Sequence, residues 1–332
     1  MTIRPFLAGG ALAAFTLAAG ASVAQEPLRV AAISGYFSQG FGISIAQGLE
    51  RARDELGIDL TIVDTGDRAL DYEEQFNNLA EGDYDLVFVM GWELVDALTK
   101  VSDANPDERF VFIDGVLDSP NMTYIDFNEQ EGSFLVGALA GMMVEADVEG
   151  FDAADQVGFV GGSDIPVIRN FLAGFEQGAD YAAPEVEVVD VFAGTFDDPA
   201  KGSELAMTLF GQGVPVIFQA AGPTGEGVLQ AAAAMGQYAV GVDIDQCPTA
   251  PGAMLASMLK RADVAVYDMI AGQADGSAPV VPGAVTVGVA SGGVELKICE
   301  DMVARIPADV TERLEEARAG IAAGEIVVAG FE

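Results

Sequence analysis

The sequence predicts an α/β protein of two Rossmann-like lobes, on three observations. Short apolar, β-rich runs alternate with helical patterns along the chain. The runs are apolar on both faces, as strands of a parallel sheet covered by helices are. They also fall into two series of four, with a break near residues 126–131.

Residues 1–24 stand outside this alternation. Met1–Arg4 is a short basic start, Phe6–Gly20 is apolar and rich in Ala and Gly, and Ser22-Val23-Ala24 places small residues before a cut. This is the pattern of a secretory signal peptide, cleaved after Ala24 to begin the mature chain at Gln25. No Cys lies near that site to carry a lipid, so an exported, non-lipidated product is expected.

The first series of strands is Leu28–Ser34, Leu60–Val63, Leu86–Met90 and Phe110–Ile113, with helices near 41–56, 70–80 and 93–103 between them. The second is Val157–Val160, Val186–Phe192, Val214–Phe218 and Tyr238–Val242, with helices near 129–145, 166–181, 199–212, 224–235 and 258–272. Gly137 and Gly141 form a G-x-x-x-G pair in the 129–145 helix. Acidic residues flank its short apolar run, so the pair predicts close helix packing inside the protein and not a membrane dimer.

Composition removes several functions. With 52 acidic against 15 basic residues and a net charge of −37, nucleic acid and anionic membranes would be repelled. There is no His, which excludes Ser-His-Asp and Cys-His catalysis, and the two cysteines, Cys247 and Cys299, are too few for a zinc or iron–sulfur site. No cofactor is expected. In an oxidising compartment the two cysteines are expected to pair.

The loop after the first strand, "SGYFSQGFG", spaces Gly35, Gly40 and Gly42 five and two apart, with no basic residue before Arg51. That is neither G-x-G-x-x-G nor a P-loop. It offers Tyr36, Phe37 and Phe41, which suit a flat ring better than a phosphate. In open parallel sheets, ligands bind beyond the carboxyl ends of the strands. Those ends deliver Ser34, Tyr36 and Phe41; Trp92, the one Trp in the chain; Asp114; Phe196; Gly222; and Asp243, with Lys260 at a helix start downstream. Aromatic faces from both halves, carboxylates and one Lys suit a stacked ring with a hydroxylated appendage. A nucleoside fits this set; a nucleotide lacks a basic cluster for its phosphate.

The blocks "YDLVFVMGWELVDAL", "FVFIDG", "FNEQEGSFLVGALAGMM", "VGFVGGSDIPVIRNFLAGFEQGA", "FQAAGPTGEGVLQAA", "VGVDIDQ", "SMLKRADVAVYDMI" and "IPADVTERLEEARAGIAAGEIVV" occur in order over nearly the whole mature chain. In these the sequence resembles the basic membrane protein family of ABC-transporter substrate-binding proteins, the purine nucleoside receptor type. The resemblance implies a periplasmic-binding-protein type I fold, a monomer that closes on a solute and docks on an ABC permease. It implies stacking by Phe41 and Phe196, contacts from Asp114 and Gly222, and ribose contacts from Asp243 and Lys260. One departure stands out. The family's first loop carries an Asp after the first strand and an Asn at the helix start; here Ser34 or Gly35 and Gly42 stand in those places and the loop is about two residues shorter.

The expected division is 25–127 with 250–281 in the first lobe and 128–249 with 282–332 in the second, with hinges near 126–130, 247–253 and 280–285 and both cysteines close to the hinge. The expected function is a periplasmic receptor, not an enzyme, that delivers a nucleoside to an importer. The alternatives are a receptor for a sugar or modified base, or a metal-dependent nucleoside hydrolase using Asp114, Asp243 and Asp245.

Overall fold

The computed structural model describes residues 26–66, 72–117, 119, 122–152 and 154–331. The expected signal peptide and its cleavage point lie outside the described residues, as do residues 70 and 71 of the expected 70–80 helix.

Two six-stranded sheets form the framework. The first contains β1 (Arg29–Ser34), β2 (Asp59–Asp64), β3 (Leu86–Met90), β4 (Phe110–Ile113), β5 (Thr123–Phe127) and β11 (Gly283–Val287), in the order β11-β5-β4-β3-β1-β2 and parallel throughout. The second contains β6 (Gln156–Gly161), β7 (Glu187–Phe192), β8 (Val216–Ala220), β9 (Tyr238–Asp243), β10 (Met254–Lys260) and β12 (Val294–Ile298), in the order β12-β10-β9-β8-β6-β7, with β12 alone antiparallel. The central strands β3, β4 and β8 are buried at every position, so β3 and β4 are unbroken apolar runs that do not alternate, and β8 is apolar but for the hydrogen-bonded Gln219.

Helices α1 (Gly40–Leu56), α2 (Tyr72–Ala80) and α3 (Val95–Ala104) belong to the first lobe. Helices α4 (Glu129–Glu145), α5 (Pro166–Ala182), α6 (Pro199–Gly211), α7 (Pro223–Met235) and α9 (Ala308–Ala322) belong to the second. The G-x-x-x-G pair packs α4 against α5: a Cβ on Gly137 would lie 2.0 Å from the Phe175 carbonyl oxygen, so the two backbones touch. Among the described residues no helix is long and apolar enough to cross a membrane.

The third region of the chain departs from the expected division. Residues 254–260 are strand β10 of the second sheet, not part of the first lobe, and residues 283–287 pair with β5 in the first sheet, not the second. Helix α8 (Ala262–Asp275) packs on α1 and returns to the first lobe; there Ser44 accepts from the Asp263 backbone N–H at 3.0 Å. The chain therefore crosses between lobes at Asn128, at Arg261 and over 288–293. The cause is strand pairing over long sequence distance, with β10 inserted between β9 and β12. The three crossings are laced together: Arg261 N–H donates to the Gly293 carbonyl at 2.9 Å, and Glu131 accepts from the Asn128 side chain at 2.8 Å and from Val289 N–H at 2.7 Å.

Cys247 and Cys299 form a disulfide, with Cα atoms 5.5 Å apart. It lies within the second lobe and not at a crossing. Cys247 sits in a 3₁₀ turn (Cys247–Thr249) between β9 and β10, and Cys299 directly follows β12. The bond pins the β9–β10 connection onto the antiparallel edge strand.

Candidate functional site

A cavity of about 240 Å³ lies between the lobes at the carboxyl ends of both sheets. The backbone turns sharply as it leaves each central strand. Gly91 after β3 has φ 131°, and Gly222, just past β8, has φ 55°. Asp114 after β4 has φ 78° and Asp243 at the end of β9 has φ 67°. Left-handed backbone at a non-Gly residue is uncommon, is best tolerated by Asp and Asn, and collects at ligand sites. Here it swings two carboxylates out of buried strands into the cleft.

Tyr36, Phe41, Trp92, Asp114, Phe196, Gly222, Asp243 and Lys260 all line this cavity. Ser34 does not: it is fully buried, its hydroxyl 3.6 Å from the Met90 sulfur and accepting the Tyr36 N–H at 3.1 Å. Its role is to shape the first loop. That loop explains the family departure at Gly42, where a Cβ would lie 2.0 Å from the Tyr36 carbonyl oxygen. The short loop presses its backbone onto the start of α1 and leaves no room for a side chain there.

Lys260 closes the inner end of the cavity. It is the last residue of β10, not the start of a helix as the sequence reading has it, and only 1% of it is exposed. Its ammonium is ion-paired with Asp114 of the first lobe and lies 4.7 Å from the ring centre of Phe41, 4.8 Å from Phe127 and 5.4 Å from Phe171. Burial works against its charge, but Asp114, Glu129 and Asp243 outweigh burial and raise its pKa above the ordinary value. Burial pushes Asp243 up to about 6, with Lys260 opposing and Asp114 adding to the rise. It pushes Glu129, 2% exposed at the first turn of α4, up to about 7; Lys260 and a 2.9 Å hydrogen bond from Asn170 oppose that rise. One cation thus serves several carboxylates. The Asp243 turn is braced from below by Gln246, whose side-chain oxygen accepts from Val242 N–H at 2.9 Å and from the buried Gln219 amide at 2.8 Å.

Phe171, Ile165, Glu93 and Asp197, not among the residues expected from the sequence, also line the cavity. Phe171 and Ile165 come from the start of α5, which follows a strand end as the other contributors do. Glu93 and Asp197 each follow an aromatic residue that the reading did select. Among the described residues, no group of three or more His, Cys, Asp or Glu side chains could hold a metal ion.

Two parallel-sheet α/β lobes, crossed three times by the chain and enclosing a cleft at the strand ends, define a solute-binding protein of the periplasmic type I fold. Residues 31–328 match the profile of the ABC transporter substrate-binding protein PnrA-like family, and the chain belongs to that family. It is 31% identical over 277 residues to the CD4+ T-cell-stimulating antigen of Listeria monocytogenes serovar 1/2a, covering 78% of this chain and 74% of that protein. It is 30% identical over 270 residues to the ABC transporter nucleoside-binding protein BmpA of Lactococcus lactis subsp. cremoris, covering 74% of each. A crystal structure of an ABC transporter system solute-binding protein from Aeropyrum pernix K1 superposes with a TM-score of 0.80 at 28% identity, covering 91% of this chain and 94% of that one. The protein is therefore a substrate-binding component of an ABC transporter, with a solute as ligand and a membrane permease as partner.

Proposed function

We propose that the interlobe cavity binds an uncharged nucleoside, which the closed protein delivers to an importing permease. The observation that carries this reading is the pairing of aromatic walls from both lobes with an inner end made of Lys260, Asp114 and Asp243. Phe41, Trp92 and Phe196 offer faces for a base, with Tyr36 and the open backbone of Gly222 beside them. Ribose hydroxyls donate to Asp243 and Asp114, and the Lys260 ammonium donates to a ribose oxygen. At about 240 Å³ the cavity lies below the roughly 300–1,000 Å³ of drug-sized sites, in keeping with a small ligand. Among the described residues lining it, Lys260 is the one cationic side chain, and carboxylates surround it, so a phosphate would be repelled. The relative named a nucleoside-binding protein supports the same ligand class.

The protein acts as a receptor without catalysis, as a monomer exported to the periplasm after cleavage at Ala24. Calorimetric titration with adenosine, guanosine, inosine, uridine, free bases and ribose tests the reading. Nucleosides are expected to bind and ribose and free bases to bind far more weakly. Equal binding of plain sugars would transfer the site to a sugar receptor, and release of free base from inosine would make the protein a hydrolase.

A further inference from the structure

Each lobe brings to the cavity an aromatic residue followed directly by a carboxylate: Trp92 and Glu93 from the first, Phe196 and Asp197 from the second. At the inner end Asp114 is ion-paired with Lys260. Among the described residues neither Glu93 nor Asp197 has a cationic partner. Glu93 lies in the 3₁₀ turn Trp92–Leu94, and its carboxylate folds back over Gly91: a Cβ on that glycine would lie 2.3 Å from Glu93 Oε1. Burial raises the Glu93 carboxyl above its usual range, its own backbone N–H opposes this, and Asp197, across the cleft, raises it further. Glu93 and Asp197, both largely exposed, thus line one cavity from opposite lobes, and a ligand that places N–H donors between them meets two acceptors.

Resting on the nucleoside reading above, we propose that Glu93 and Asp197 select a base whose edge carries two adjacent N–H donors, which among the common bases is guanine. An ionised carboxylate accepts only, and two parallel N–H donors satisfy both its oxygens. Guanine offers N1–H and the 2-amino group side by side, and the second amino hydrogen remains for Asp197. Adenine and cytosine set an acceptor ring nitrogen beside their amino group, which turns a lone pair toward the carboxylate. Hypoxanthine keeps only N1–H, and uracil flanks its single N–H with two carbonyls.

The test is calorimetry with guanosine, inosine and adenosine on the wild type, Glu93→Gln and Asp197→Asn, with melting temperatures as a folding control. The wild type is expected to bind in the order guanosine, inosine, adenosine, with steps of about tenfold or more for each charge-assisted bond lost. Glu93→Gln should cut the guanosine-to-adenosine ratio by about tenfold or more, because an amide offers a donor to the adenine ring nitrogen. Asp197→Asn should cut it less. A ratio unchanged in Glu93→Gln while both nucleosides still bind, or a wild type that prefers adenosine, would overturn this selection and leave the nucleoside reading standing. A wild type that binds none of the three would overturn both.

Discussion

Replacing Lys260 by Met removes the charge at the centre of the cleft and keeps a side chain of similar length among Phe41, Phe127 and Phe171. The ammonium is 1% exposed and is the cation shared by Asp114, Asp243 and Glu129. Removing one partner of a buried ion pair costs about 3–5 kcal/mol, because the other charge stays behind without compensation. At roughly 2 °C per kcal/mol for a protein of this size, the melting temperature should fall by about 6–10 °C. Adding Asp114→Asn to Lys260→Met should restore part of the loss, since the second change removes one of the stranded carboxylates. The measurement is thermal unfolding of the wild type, both single variants and the double variant, without ligand. A Lys260→Met protein that melts with the wild type, or a double variant in which the two losses simply add, would show that the cluster is not coupled through Lys260.

Asp243→Ala should weaken nucleoside binding by about ten- to a hundredfold, the worth of one or two charge-assisted hydrogen bonds; unchanged calorimetric affinity would remove Asp243 from the site. Changing Cys247 and Cys299 to Ser opens a link spanning 52 residues and should cost about 4 kcal/mol, read as a lower urea midpoint; an unmoved midpoint would contradict the stabilising role. Glu129 and Asp243 both hold protons in the folded state at pH values where an unfolded chain has released them, with folded values of about 7 and about 6. Their contribution is therefore full below the ordinary carboxylate range and is lost as pH rises through those values. Glu129→Gln should flatten the resulting fall in stability between about pH 5 and 7, and an unaltered slope in urea titrations would refute the assignment.

Most of the site was legible in the sequence because it hangs on strand ends. Asp114, Gly222 and Asp243 each close an apolar run with a residue that tolerates positive φ, and such a run announces both the strand and its exit. The first loop was readable only in part. The Ser34 hydroxyl turns inward toward Met90, a choice made by packing between β1 and β3. "MLASMLK" misled because it is apolar almost throughout, so periods of 2 and 3.6 fit it equally, and only pairing with β9 and β12 makes it a strand. β11 has the opposite weakness: it is a largely exposed edge strand, and its place beside β5 is fixed by a partner more than 150 residues away. The lobe crossings follow from those pairings, so they were not visible locally. Glu93 and Asp197 carry no local signal, since an exposed carboxylate in a turn has the sequence appearance of any solvated surface group.

The identity of the small molecule that stays with the protein through gentle purification tests the proposed nucleoside ligand of the cleft most directly. Native mass spectrometry of the folded chain, followed by release and fragmentation of whatever is bound, gives that identity without choosing a ligand in advance. One uncharged nucleoside per chain is the expected result. A nucleotide, a plain sugar or an amino acid in its place, or a bare chain that stays bare when nucleosides are added, would contradict it.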